Sequence, residues 1–227
     1  MDRKIYGIFV AGGSGSRMGA EVPKQFLRLG GVPILQRTIS SFVEAVPDLH
    51  VVTVLPRLHF DLWKDLCRET DFNVPQQLVP GGVTRFHSVQ NALAKIPDDA
   101  VVLIQDGVRP FASHELVRSL AAAAEPGVGA IPVVPVVDTL RRKDGLMPDP
   151  DRSSVVAVQT PQAFISTDIR HAYEQPYDTA FTDDASVAAM HGLTVLQIPG
   201  ERFNIKITTP EDMDLAGFIL DRIRSGR

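Results

Sequence analysis

The chain contains a single cysteine, Cys67, among its 227 residues, so no intramolecular disulfide framework holds it together and a reducing compartment is expected. Around it Leu58, Leu62 and Leu66 fall at helical spacing, and Cys67 reads as a core or boundary thiol of that helix. No apolar run is long enough to cross a bilayer, and Met1-Asp2-Arg3-Lys4 leads into an apolar stretch too short for a signal peptide. A soluble, cytoplasmic protein without a membrane partner is expected. Positive charge is not in excess: 23 Lys and Arg against 27 Asp and Glu give a net charge of −4 and a pI near 5.8. That balance argues against a broad nucleic-acid footprint and confines useful cations to a local site for a small anion. The six histidines show no metal-ligand spacing, and His87 and His191 read as surface or boundary residues.

What the chain does have is a glycine-rich turn, Ala11-Gly12-Gly13-Ser14-Gly15-Ser16-Arg17-Met18, followed by Pro23-Lys24-Gln25-Phe26. Backbone N–H groups between Gly12, Gly13 and Gly15 suit phosphate oxygens, and Arg17 and Lys24 supply two cations seven residues apart. The spacing fits neither of the commoner glycine loops. A dinucleotide fingerprint starting at Gly13 needs glycine where Met18 stands, and a P-loop needs glycine followed by lysine at Arg17 or Met18. The preceding Ile5–Val10 has strand length, so the loop is expected at the carboxyl end of a buried strand, where open α/β sheets bind ligands.

Strand-like runs at 5–10, 50–55, 100–105, 129–134 and 193–198 alternate with helical patterns at 34–45, 58–69, 85–95, 113–124 and 183–191. This predicts an α/β fold: one domain over 1–227, with a mostly parallel sheet and helices on both faces. A last helix is signalled by Thr209 as N-cap, Pro210 in the first turn, and Met213, Ala216, Leu220 and Ile223 on one face. Residues 136–158 break the alternation. There, extended pieces at 138–143 and 153–158 flank the turn-rich 144–150, predicting a projecting β-hairpin arm that needs a partner surface.

Further clusters fall where the chain returns to the carboxyl edge of the sheet. Gly81-Gly82 runs into a helix start at Arg85, with amides that suit a base or phosphates and Ser88 as an added donor or acceptor. Asp106, after the strand 101–104, suits a ligand hydroxyl or a hydrated Mg²⁺, although capping a turn accounts for it as well, and Arg109 suits a phosphate. Lys206, between Ile205 and Ile207, needs an anionic partner if it points inward and is a solvated edge lysine otherwise. Thr182-Asp183-Asp184-Ala185 reads as an N-cap and acidic first turn. Together these supply cations, amides and hydroxyls, but no nucleophile beside a base. A phosphate monoester, an oxyanion at neutral pH with its second pKa near about 6, fits as attacking group, because it needs only positioning and charge neutralisation.

These motifs, with Val137-Asp138-Thr139, Arg152-Ser153-Ser154, Gln159-Thr160-Pro161-Gln162 and Asn204-Ile205-Lys206, closely resemble those of the 2-C-methyl-D-erythritol 4-phosphate cytidylyltransferases, in family order along almost the whole chain. The resemblance implies a Rossmann-like fold of the nucleotide-diphospho-sugar transferase type and transfer of CMP from CTP to a polyol phosphate, methylerythritol 4-phosphate, with Mg²⁺ carried on the CTP phosphates. It further implies that Arg17 and Lys24 stabilise charge at the α-phosphate and leaving pyrophosphate, and that Arg152 and Lys206 hold the attacking phosphate. Base and ribose would lie against Ala11, Gly12, Gly81, Gly82, Arg85 and Ser88, with Asp106, Arg109, Thr139 and Thr160 on the methylerythritol side. It also implies a homodimer exchanging the arm 136–158. The segments Val108-Arg109-Pro110-Phe111 and Phe203-Asn204-Ile205-Lys206 are similar as well to ribitol-5-phosphate cytidylyltransferases. The short spacing from Met18 to Pro23 and the stretch from Arg152 to Thr160 are closer to the methylerythritol enzymes. A non-catalytic nucleotide-binding module would be expected to lose one of Arg17, Lys24 or Lys206, and all three are present.

Overall fold

The computed structural model describes residues 3–13 and 22–226. In chain order its strands are β1 (Ile5–Val10), β2 (Arg28–Leu29), β3 (Val32–Pro33), β4 (His50–Leu55), β5 (Gln76–Pro80), β6 (Val101–Asp106), β7 (Val128–Pro135), β8 (Val156–Val158), β9 (Gln162–Ile165) and β10 (Thr194–Pro199). The helices are α1 (Ile34–Ala45), α2 (Phe60–Glu69), α3 (Arg85–Leu93), α4 (His114–Ala123), α5 (Ser166–Ala172), α6 (Asp184–Met190) and α7 (Pro210–Arg224). An eight-stranded sheet runs β10-β7-β9-β6-β1-β4-β5, with β8 added on β7, while β2 and β3 form a separate ribbon. The β6-β1-β4-β5 half is parallel throughout, and β9 runs antiparallel to both of its neighbours.

The strand pleat sends adjacent residues to opposite faces, and the core divides accordingly. Phe9 packs with Phe42, Trp63 and Leu116 beneath α1, α2 and α4, whereas its neighbour Ile8 packs with Val89, Ile169 and Val187 beneath α3, α5 and α6. Central β6 is buried along its whole length, as a strand covered on both faces requires. A third cluster, with Leu29, Val108, Ile207 and Ile219, seats α7. That helix starts as expected, with Thr209 in a capping box and Pro210 in its first turn.

Several details differ from the sequence reading. Strands β5 and β9 were not expected: β5 is an edge strand with only Val79 buried, and β9 is four residues placed by its ladder with β6. In α2 the buried side chain is Trp63, while Leu58 and Leu62 are exposed. The helix proper begins at Phe60, after a 3-10 turn over Arg57–His59, which rotates the apolar face away from the expected one. On α7, Ile219 takes the buried place expected of Ile223, which is exposed.

The arm is also built differently. Val156–Val158 pairs with Val133–Pro135 of β7, and 138–143 carry no strand, so the hairpin is β7-β8 and the residues between form a largely exposed connection. Local side-chain bonds account for this. Arg141 and the amide of Arg142 bond to Asp149, and Asp144 holds Arg142, interactions that compete with a strand ladder. Among the described residues no helix is long and apolar enough to cross a membrane.

Candidate functional site

Because β1, β4, β5 and β6 are parallel, their carboxyl ends share one edge, and the segments leaving them meet there. Ala11 prolongs the sheet, its N–H donating to Val54 O at 2.9 Å, and the Gly107 N–H donates to Val10 O at 2.9 Å. Over this edge lies a cavity of about 280 Å³ walled by Ala11, Gly12, Gly13, Lys24, Gly82 and Ser88. A second, of about 260 Å³, is walled by Arg109, Gln159, Thr160, Thr182 and Asp183. Arg85, Asp106 and Lys206 line both, so the chambers adjoin through one group of charges. A larger cleft of about 550 Å³ beside α1 and α7 contains Arg37, whose guanidinium already donates to the carbonyls of Leu29 and Gly30.

The shared group is an ion cluster centred on Asp106. Its Oδ2 accepts from Lys206 Nζ at 2.9 Å and from Arg109 Nε at 3.2 Å, and Oδ1 lies 3.9 Å from Arg85 Nε. Burial pushes the Asp106 carboxyl up, but Arg85, Lys206 and Arg109 together outweigh it and bring its pKa to about 2. Asp106 is therefore a carboxylate at neutral pH, an acceptor only. The inward-pointing alternative for Lys206 holds: the chain turns it onto Asp106 rather than leaving it at a solvated edge.

Arg85 is fixed from behind. Its Nη1 and Nη2 donate to Asp184 Oδ1 and Oδ2 at 2.9 and 2.6 Å, and the Tyr173 hydroxyl donates to Asp184 Oδ1 at 2.6 Å. Burial lowers the Arg85 pKa, but Asp184 and then Asp106 more than reverse this, so the guanidinium stays charged. Burial and the neighbouring Asp184 likewise hold the Tyr173 phenol protonated. Arg85, expected as a nucleotide contact, lines both chambers, and Asp184 engages one N–H of each of its terminal nitrogens, which fixes the plane of the guanidinium.

The Gly81-Gly82 turn is likewise bonded internally. Its amides were expected to face a ligand, but Gly81 N–H donates to Leu55 O at 2.8 Å and Gly82 N–H to Ser88 Oγ at 3.0 Å. Ser88 in turn donates to Thr84 O, so toward the chamber its hydroxyl has acceptor capacity and no proton to give. What the turn supplies is close approach: a Cβ on Gly82 would lie 2.4 Å from His87 Cβ and 2.9 Å from its carbonyl carbon.

In the second chamber the antiparallel sense of β9 decides which residues arrive. Residues just before it, Gln159 and Thr160, come to the same edge as the end of β6, and Thr160 Oγ1 accepts from the Asp106 N–H at 3.1 Å. Fully buried Asn204 donates to Thr160 O at 2.8 Å, while its own carbonyl accepts from Arg109 Nη1 at 2.9 Å. These bonds fix the loop that carries Lys206. Asp183 caps α6 with Ser186 and also accepts from Gln162 Nε2 at 2.8 Å, and Asp184 is the expected first-turn acid.

Of the residues proposed from sequence, Ala11, Gly12, Gly13, Lys24, Gly82, Arg85, Ser88, Asp106, Arg109, Thr160 and Lys206 line the two chambers, with Gly81 adjoining. Arg17 and Gly15 lie outside the described residues. Thr139 and Arg152 lie on the exposed connection and line neither chamber; Arg152 sits in a 3-10 turn and donates to Val137 O at 2.8 Å. Sequence reasoning gave no role to Gln25, Gln159, Thr182 or the Asp184–Arg85 pair. The acid-to-base spacing of that pair spans two helices and leaves no local signal.

Among the described residues neither chamber is lined by a histidine or a cysteine, and no three carboxylate, His or Cys side chains cluster as a metal cage. Two adjoining pockets, cationic at their junction, with the lining carboxylates Asp106 and Asp183 already bonded to Lys206, Arg109 and Gln162, suit the joining of two anions.

The sequence profile of 2-C-methyl-D-erythritol 4-phosphate cytidylyltransferase matches residues 5–222. Relatives bearing that description include a protein of Porphyromonas gingivalis strain W83, 46% identical over 97% of this chain and 99% of its own length. Another, from Phocaeicola vulgatus, is 44% identical over 97% of this chain and the whole of its own. The crystal structure of 4-diphosphocytidyl-2C-methyl-D-erythritol synthase from Anaerococcus prevotii superposes with a TM-score of 0.80 at 30% identity, covering 97% of both chains. That of the cytidylyltransferase from Thermus thermophilus gives 0.72 at 28% identity, over 97% of this chain and all of the other. The chain with this two-chambered edge belongs to the 2-C-methyl-D-erythritol 4-phosphate cytidylyltransferase family.

Proposed function

We propose that the protein transfers CMP from CTP to 2-C-methyl-D-erythritol 4-phosphate, giving 4-diphosphocytidyl-2-C-methyl-D-erythritol and pyrophosphate for isoprenoid synthesis. Family membership supports the reaction, and the observation that carries it to these residues is the shared wall of Arg85, Asp106 and Lys206 between two chambers. CTP takes the chamber of Gly12, Gly13 and Lys24, and the acceptor takes that of Arg109 and Thr160. An oxygen of the acceptor phosphate bonds to the α-phosphorus, the bond from that phosphorus to the bridging oxygen breaks, and pyrophosphate leaves with the electron pair. No side chain removes a proton, because the nucleophile is already an oxyanion. Lys24 and Arg17 neutralise charge at the α-phosphate and leaving group, Lys206 holds the attacking phosphate, and Asp106 accepts from acceptor hydroxyls.

Both oxygens of Asp106 already face cations, so a Mg²⁺ ion would be held by the phosphates of CTP rather than by Asp106, and would supply screening of phosphate charge there. Two copies of the chain exchange the arm 136–158, bringing Arg152 and Thr139 to the partner's acceptor chamber. The exposed valines of β8 and the exposed connection support this reading. The test is pyrophosphate release from CTP with methylerythritol 4-phosphate or ribitol 5-phosphate as acceptor. Release with the first and little with the second is expected; preference for ribitol 5-phosphate overturns the assignment of acceptor.

A further inference from the structure

Lys24 reaches the nucleotide chamber from a 3-10 turn over Lys24–Phe26, and both residues that follow it in the turn are buried. Phe26 packs into the core against Trp63, ring centroids 5.9 Å apart, with its other edge on His59. Gln25 is only 1% exposed, and its Nε2 donates to Ala11 O at 2.8 Å. That carbonyl belongs to a residue locked into the sheet through Val54, immediately before the Gly12-Gly13 pair.

The two anchors differ in kind. Packing of Phe26 is non-directional and tolerates small rotations of the turn. The Gln25 amide is directional, and it ties the chain segment bearing the cation to the one bearing the glycines, 14 residues away in sequence. Both segments wall the same chamber. We infer that Gln25 is a positioning residue for Lys24: through Ala11 O it sets where the ammonium stands relative to phosphates resting on the glycine turn.

Positioning by Gln25 matters only if Lys24 acts on the reacting phosphates, as proposed above, so the two are tested separately in one double-mutant cycle. Gln25→Met keeps length and burial and removes the donor; Gln25→Glu keeps shape and turns the donor into an acceptor. Each is measured alone and with Lys24→Ala, reading kcat, KM for both substrates and thermal midpoint. A group misplaced by about 1 Å loses on the order of 100-fold in rate, so kcat for Gln25→Met is expected to fall roughly 10- to 100-fold, with KM for the acceptor little changed. In the Lys24→Ala background the same change is expected to lower kcat less than about threefold, because the group being positioned is gone.

Equal losses of kcat on the two backgrounds overturn the positioning role, since a merely structural glutamine damages both alike. Near-normal turnover of Lys24→Ala overturns the reading of Lys24 itself, and the role of Gln25 with it. If Gln25→Met does not fold, the cycle with Gln25→Glu decides by the same comparison. If neither folds, Gln25 is a folding residue and the inference is overturned.

Discussion

Asp184→Asn is the substitution that should expose how the charged junction is held. The side chain keeps its size, and Oδ1 still accepts from Tyr173 and from one Arg85 nitrogen. The other terminal nitrogen of Arg85 then meets an amide N–H instead of a carboxylate oxygen at 2.6 Å, and Asp184 is fully buried, so water does not replace the lost partner. Removing one partner of a buried pair costs about 3–5 kcal/mol. Asp106, 3.9 Å from Arg85 Nε, remains to offset part of that, which places the expected loss near about 3 kcal/mol.

In a chain of 227 residues, each kcal/mol lowers the midpoint by about 2–4 °C, so the variant should melt about 6–12 °C below the parent. Tyr173→Phe removes only the hydroxyl donor and should cost less, about 1.5–3 kcal/mol as a hydrogen bond to a charged group. The assay is thermal unfolding followed by circular dichroism, with denaturant titration as an independent measure of free energy. A midpoint for Asp184→Asn within about 2 °C of the parent would refute the argument that Asp184 compensates the Arg85 charge.

Further outcomes follow from the same geometry. Lys24→Ala and Arg17→Ala should each keep the fold, by circular dichroism, and lose about 100-fold or more in turnover, the scale of a lost charge-stabilising donor; near-normal rates would sink those roles. Asp106, held near a pKa of about 2, contributes about 2 kcal/mol of stability that is present above about pH 4 and lost as pH falls toward about 2. The stability difference between the parent and Asp106→Asn, from denaturant titrations across that window, should therefore shrink with acid, and a constant difference would contradict it. Turnover should require Mg²⁺ while the nucleotide-free protein binds it weakly, and tight stoichiometric binding in calorimetry would count against a substrate-borne ion. Mixing inactive Arg17→Ala with inactive Arg152→Ala subunits should restore about a quarter of parental sites if Arg152 works across a dimer; no recovery in verified mixed dimers would exclude it.

The half of the fold that frames the chamber of Gly12, Gly13 and Lys24 is legible because its strands are dense in Val and Ile and buried on both faces, as in Ile5–Val10, His50–Leu55 and Val101–Asp106. Helix starts at Ser113, Asp183 and Thr209 are legible for a local reason as well, since each side chain caps its own helix. Tertiary choices are not. Gln76–Pro80 and Gln162–Ile165 have weak strand character and become strands by pairing with neighbours. Gly81-Gly82 reads as a donor turn in one dimension, and only the fold shows its amides already bonded to Leu55 and Ser88. Lys206 is ambiguous until Asp106 is placed beside it, and Asp184 is a correct first-turn acid whose larger task, holding Arg85, needs the third dimension.

Among the described residues, the three cations around Asp106 are held to different degrees. A site that joins two anions without a base must gather positive charge, yet Arg85, Arg109 and Lys206 repel one another when no ligand is bound. Asp106 and Asp184 compensate them, but not equally. Arg85 is held bidentately by Asp184, and Arg109 is tied both to Asp106 and to Asn204 O. Among the described residues Lys206 bonds through its side chain to Asp106 alone, and it is the most exposed of the three, its side chain 42% accessible. On the proposed function, an arriving phosphate would meet two cations in fixed places and one on a flexible stem that can turn to it at the loss of one ion pair. The carboxylate left behind would stay ionised by Arg85 and Arg109, and on the proposed function it would accept from hydroxyls of a ligand in the chamber of Arg109 and Thr160. On this reasoning Lys206→Arg, whose guanidinium is larger and more rigidly directional, should impair turnover even though it keeps the charge.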